Sequence, residues 1–210
     1  MFSSATLLKA SSSIKSNLTL LQIPTSSATF KLVPLISRSM SSTSGPFRSK
    51  LIGAWSLVSY TSTNIKDPDD VKYPMKKGAL GMIIYSPDGH MSAQLQFPHI
   101  PPYSGGAFQG SEGEFAESAR KTMAYTGPFY LEEVPGNKQR LYHHMNLSQP
   151  PNWLGDTQLR VAEMSDEGEE GLFLTLGPEN NTVDGGVNRV VRLRWRKMGD
   201  NSTAQVPSKL

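Results

Sequence analysis

Two of the chain's four histidines, His143 and His144, are adjacent in the run Leu141 to Arg160, which also holds Tyr142, Asn146, Trp153, Gln158 and Arg160. The run reads as a strand, a Pro-punctuated corner and a second strand. Adjacent strand residues point to opposite faces. Leu141, His143, Met145 and Leu147 form the more apolar row, so His143 is expected inside, with Tyr142, His144 and Asn146 outside; a bulge would exchange the two rows. An interior imidazole near a cation and phenols can act as general acid or base on an enolisable ligand. The plain alternative is a hydrogen-bonded core histidine. Arg160, if its row points inward, needs a carboxylate, from Asp156 or from a ligand; if outward, it is a solvated surface group. Tyr125 and Tyr130 flank Gly127-Pro128 and either line a pocket mouth or fill one end of the fold. Trp153, beside Pro150-Pro151, is a corner plug or a ligand platform.

The catalytic candidates are therefore His143, Arg160 and Tyr125. The ligand-contacting candidates are Tyr130, Met145, Met91, Leu95 and Trp153. Adjacent strand histidines do not converge, and His90 and His99 sit at a turn and in a Pro-rich loop, so no metal site is expected. No Ser-His-Asp order, Walker loop or dinucleotide glycine fingerprint calls for a cofactor. The 210 residues include no cysteine, which excludes disulfides and a thiolate nucleophile.

These residues need a scaffold, and the chain reads as mostly strands. Leu51–Thr61, Ala79–Tyr85, His90–Phe97, Phe129–Val134, Gln139–Ser148, Thr157–Met164, Gly171–Leu176 and Asn188–Lys197 each mix apolar and β-branched residues or alternate. Ser86-Pro87-Asp88-Gly89 is a turn signal joining two of them into a hairpin. One helix interrupts: Ser111 and Glu114 form a capping box, Phe115, Ala119 and Met123 repeat every four residues, and Gly127-Pro128 forbids its continuation. The Pro98–Gly110 loop and this helix are expected as a lid. About eight strands with one helix and no strand–helix alternation predict an all-β fold, a closed antiparallel barrel that removes sheet edges.

The domain reading is a presequence-like or disordered segment over 1–47, a barrel over 48–198 and a flexible tail over 199–210. Of 21 Lys and Arg, four lie in residues 1–47, which hold no acid; the remaining 17 face all 18 acids. The body is near neutral, so no field for nucleic acid is expected, and no apolar run reaches membrane-span length. Ser208-Lys209-Leu210 matches the peroxisomal import tripeptide and implies the import receptor as a partner. The Ser-rich, acid-free first segment instead suits a mitochondrial presequence, or an over-extended start, since Met40 can also initiate. The expected location is the peroxisome, with the mitochondrion or cytoplasm as alternatives.

Gly53-Ala54-Trp55 resembles the Gly-x-Trp of lipocalins, and Arg192 or Arg194 resembles the arginine that packs on that tryptophan and closes the barrel floor. Tyr85-Ser-Pro-Asp-Gly89, Tyr125-Thr-Gly-Pro-Phe-Tyr130, His143-His144 and Pro151-Asn-Trp-Leu-Gly155 with Gln158 and Arg160 follow in order over residues 51–197. Together they resemble the lipocalin-like domain family of bacteria and fungi, often associated with secondary metabolism. The resemblance implies an eight-stranded calycin-type barrel holding a small hydrophobic metabolite. The first functional reading is a cofactor-free isomerase, cyclase or dehydratase on a polyketide- or acyl-derived intermediate, with His143 moving the proton and Tyr125, Tyr130 or Arg160 holding an oxyanion. The competing reading is a non-catalytic carrier of such a metabolite. A third is a silent assembly partner, which an exposed apolar patch would favour.

Overall fold

The computed structural model describes residues 45–206. Residues 1–44, with Met40, and the tripeptide Ser208-Lys209-Leu210 lie outside the described residues.

A short helix, α1 (Pro46–Leu51), leads into β1 (Gly53–Asn64), followed by β2 (Val71–Lys72), β3 (Leu80–Tyr85) and β4 (His90–Gln96). Helix α2 (Glu112–Lys121) runs directly into β5 (Thr122–Glu132), and β6 (Lys138–His144), β7 (Leu147–Ser148) and β8 (Thr157–Asp166) follow. The chain then forms β9 (Leu172–Gly177), β10 (Thr182–Asp184) and β11 (Val187–Lys197). Pairing runs β1-β3-β4-β5-β6-β8-β9-β11, and β11 returns to β1, all antiparallel. The fold is the eight-stranded closed barrel that the alternation predicted. β2, β7 and β10 are short additions at its margins.

The β3–β4 hairpin forms where the turn chemistry placed it. Gly89 takes φ 92°, which a side chain would oppose, and Ser86 N–H donates to the His90 carbonyl at 2.8 Å. Tyr85 pairs with Met91, so Tyr85, Ile83, Met91, Ala93 and Leu95 all face inward and all are buried.

One irregularity decides which phenols enter the barrel. Between Leu57 and Ser59 the β1–β11 register shifts by a bulge at Val58. A bulge inserts one residue and reverses the alternation beyond it. Strict alternation from Trp55 and Leu57 would put Ser59 inside; instead Tyr60, paired with Leu193, and Ser62, paired with Val191, share the inner face.

β5 starts seven residues earlier than predicted, so Gly127-Pro128 lies within a strand rather than after a helix. Proline lacks an N–H and is tolerated only where no ladder bond needs it. That condition holds here. β5 pairs with β7 through Tyr125 and Thr126 and with β6 from Phe129 onward, so Pro128 faces the break between them. The strand predicted over Gln139–Ser148 breaks at Met145, whose N–H bonds to the Asp156 carbonyl at 3.0 Å. Gly127 allows this crossing: a Cβ there would lie 2.0 Å from the His144 carbonyl oxygen and 2.8 Å from the Asn146 nitrogen.

Helix α2 has its capping box, with Glu114 N–H donating to Ser111 Oγ and Ser111 N–H donating to the Glu114 carboxylate at 2.7 Å. The stripe Phe115–Ala119–Met123 does not form one apolar helix face. Met123 belongs to β5, no α2 residue is buried, and Phe115 instead packs its ring 5.0 Å from Tyr103 in the Pro-rich loop. The helix is held by Glu114 accepting from Ser104 N–H at 2.7 Å, and by Gln149 donating to the Ala119 carbonyl at 3.0 Å.

Candidate ligand site in the barrel

The exposure of inward-facing residues divides the barrel into two halves. At the α1 end, Trp55, Ile83, Tyr85, Leu141, Ala162, Leu174 and Trp195 are sealed. Towards the end where β4 finishes and β5 begins, the inward residues Tyr60, Met123, Tyr125, Gln158, Arg160 and Leu193 are only partly buried. The barrel is therefore a cup with a closed floor and an accessible upper wall, and α2 stands at the open end.

The floor departs from the lipocalin pattern. Neither Arg192 nor Arg194 reaches Trp55. Both lie on the outward row of β11, paired with Thr61 and Ser59, and Arg194 caps the Phe173 ring at 4.2 Å while bonding Glu167. The inward row is Leu193, Trp195 and Lys197, and the Lys197 ammonium sits 4.5 Å from the Trp55 ring centroid. It also donates to the Lys50 carbonyl at 2.8 Å and to that of Ile52, binding α1 to the floor. Partial burial lowers its pKa from the ordinary lysine value.

Above the floor, His143 has no exposed surface. It pairs with Phe129 on β5 and Gln158 on β8. Its Nε2 is 3.0 Å from the Tyr85 hydroxyl, and its Nδ1 is buried with no hydrogen-bond partner. Burial first, and the Arg160 charge second, lower its pKa to about 3, so the imidazole is neutral at physiological pH. Phe129, Tyr85, His143, Tyr125 and Trp153 form a continuous aromatic ladder, with successive centroids 5.1, 5.7, 6.0 and 5.7 Å apart. Tyr85–Phe129 and Tyr125–Trp153 meet edge to face, the favoured geometry for such pairs.

Arg160 pairs with buried Leu141, so its side chain points inward. Its guanidinium donates to the Gln158 side-chain oxygen and to the Leu159 carbonyl at 3.2 Å. Asp156, the carboxylate that sequence offered as its partner, instead accepts from Thr157 N–H and Gln158 Nε2. Arg160 acts electrostatically on Tyr60, Tyr85, Tyr125 and His143. Burial raises all three phenols above the usual tyrosine value, opposed in each case by Arg160. At neutral pH the wall thus carries three neutral phenols, a neutral imidazole and one guanidinium.

Of the sequence candidates, His143, Tyr125 and Arg160 converge, and Trp153 lies against Tyr125. Met91, Leu95 and Met145 are buried; Met91 and Leu95 belong to the core cluster, Leu95 beside Met123 near the open end. Tyr130 does not join them. It is 57% exposed, because Phe129 takes the inward position and the next residue must face out. Tyr60, Tyr85 and Gln158 were missed. Tyr85 was legible from the hairpin register; Tyr60 was hidden by the bulge. Size does not mark the site either: two adjoining grooves of about 410 and 280 Å³ lie on the outer face of β3–β4–β5, walled by Leu80, Met82, Gln94, Ala124, Leu147 and Gln149.

The family profile of the lipocalin-like domain matches residues 52–198. The chain belongs to the lipocalin-like domain family. The lipocalin-like domain is also similar to the 4'-hydroxy-3'-methoxypropiophenone carrier protein ppsC of Aspergillus oryzae, with 32% identity over 112 residues covering 51% of this chain and 96% of the relative.

The buried imidazole gives this lipocalin-like domain a definite acid response. The unfolded chain protonates His143 near the ordinary value of 6.5, but the folded one only near 3. Between those limits the unfolded state holds more protons, so stability falls as pH drops and is restored above 6.5. At pH 4.5 the loss attributable to this group is about 2–3 kcal/mol. Thermal melts of wild type and His143→Gln between pH 7.5 and 4.5 should show the wild type losing more stability; equal losses would assign the acid response to other groups.

Proposed function

We propose that this barrel is a carrier. It takes up a small hydrophobic metabolite, an aromatic compound bearing oxygen substituents, and releases it unchanged. The observation that supports this reading is the state of His143. The residue best suited to move a proton is closed off, joined to Tyr85 and neutral to about pH 3, which leaves the accessible wall with hydrogen-bond donors and a cation but no ready general base. The aromatic ladder suits a flat ring, and the phenols and Arg160 suit its oxygens. The ligand in the name of the Aspergillus oryzae relative, an aryl ketone with a phenol, has that chemistry.

The isomerase, cyclase or dehydratase reading makes a different prediction about the same residue. The full chain, wild type and His143→Gln, is incubated with 4'-hydroxy-3'-methoxypropiophenone and with metabolite extract from the source organism, and mass spectrometry follows bound and free compounds. A carrier returns its ligand intact, and the variant binds within about threefold of wild type, under 1 kcal/mol. A compound consumed by wild type and spared by His143→Gln would establish an enzyme. The exposed outer residues Val58, Leu80, Met82 and Ile84 favour a second reading, an assembly partner, which is compatible with carrying because a cargo must be handed on.

A further inference from the structure

We infer that the cup binds its aromatic ligand as an oxyanion, with the ionised oxygen on the Arg160 guanidinium, so that the site selects acidic aromatics over their neutral ethers. This rests on the carrier reading.

The argument begins with a charge that has no partner. Among the described residues no carboxylate lies within ion-pair distance of Arg160, although Arg140, Arg189 and Arg194 each have one. The inward rows around it present Tyr60 from β1, Tyr85 from β3, Tyr125 from β5 and His143 from β6. Its own strand adds Gln158, with Asp156 beyond at the rim, committed to Gln158 and the Thr157 backbone. Every one of the near groups is neutral. Arginine cannot shed its proton to escape this setting.

A neutral ligand entering the cup would strip water from the guanidinium and give back only a neutral hydrogen bond. An anionic oxygen gives a charge-assisted one, roughly twice as strong, in surroundings of lower dielectric than water. The partly buried phenols and the Gln158 amide can add neutral donors to the same oxygen. A second group also lacks a partner: His143 Nδ1, fully buried on the row that pairs with Gln158 and lying along the ladder from Tyr125. It is a buried polar atom for which the protein supplies no contact.

Linkage turns this selectivity into something measurable. If the cup prefers the anion tenfold, the bound ligand's own pKa falls by one unit. The probes are 4'-hydroxy-3'-methoxypropiophenone, its 4'-methyl ether, which cannot ionise, and 3,4-dimethoxybenzoate, which carries its charge on a carboxylate. The full-length wild type, Arg160→Met and Arg160→Lys are titrated with each at pH 7.5. The phenol is also followed from pH 5.5 to 9 by the long-wavelength absorbance of its phenolate. Near-UV circular dichroism establishes that each variant is folded.

The expected result is that the phenol or the benzoate binds at least about tenfold tighter than the ether. A phenol that prevails should titrate at least one unit lower when bound. Arg160→Met abolishes these differences and Arg160→Lys keeps part of them. Prevalence of the benzoate with the same Arg160 dependence would support the oxyanion and assign it to a carboxylate. Equal binding of ether, phenol and benzoate, with the bound phenol still neutral, would overturn this inference and leave the carrier reading standing. Failure of all three to bind the folded wild type would overturn both.

Discussion

Gly127→Ala should be the most damaging single-methyl change in the described barrel wall. The added Cβ would fall 2.0 Å from the His144 carbonyl oxygen and 2.8 Å from the Asn146 nitrogen. Both are backbone atoms in the crossing where β6 leaves β5 and β7 rejoins it, so no side-chain rotation can relieve the overlap. Overpacking in a rigid surrounding typically costs about 1–3 kcal/mol and more where backbone must move. We expect the upper end of that range, a fall in Tm of roughly 6–12 °C for a domain of this size. Gly113→Ala is the control: its Cβ would meet only Ser111 Oγ at 3.9 Å, and alanine in a helix should be neutral or stabilising by up to about 1 kcal/mol. If both variants melted together, the close crossing would not be a constraint in solution.

Trp55→Ala should cost about 3–5 kcal/mol, the usual range for a fully buried large aromatic. Trp55 has no exposed surface, donates Nε1–H to the Leu51 carbonyl at 2.8 Å and lies under the Lys197 ammonium. Its loss removes the floor's main filler, the bond that tethers α1 and the face on which Lys197 rests. Urea melts should show the large loss for Trp55→Ala and a much smaller one for Trp55→Phe, which keeps a ring but not the donor. Lys197→Arg should retain most of the stability, since a guanidinium also stacks on indole. A Lys197→Met variant as stable as wild type would mean that the ammonium contributes only its aliphatic stem.

Legibility in the sequence followed the physics of each element. The β3–β4 hairpin, the α2 capping box and the barrel strands were readable because each depends on neighbours a few residues apart. The inward placement of His143 followed from simple alternation. The misses each involve a partner distant in sequence. Val58 carries no local sign of a bulge, yet the bulge decides that Tyr60 faces Arg160. Pro128 looked like a terminator because only the three-dimensional gap between β6 and β7 shows that its missing N–H goes unneeded. The floor cation was sought among arginines by resemblance, while parity along β11 puts Lys197 on Trp55's side of the sheet. Tyr130 was an error that alternation alone could have caught once Phe129 was placed inside. The direction of Arg160 was open from sequence, and its lack of a carboxylate partner emerges only with the whole inner wall assembled.

Helix α2 buries no side chain and is tied down by a few polar contacts at the open end of the cup. Detaching it exposes almost no apolar surface, so its departure is a local event far below the global unfolding free energy. If the cup carries a guest, its dwell time is expected to follow how often this helix swings about its junction with β5, while the barrel's heat resistance is expected to follow the floor and the Gly127 crossing. Release rate and durability would then be separate properties of this molecule, each open to adjustment without disturbing the other.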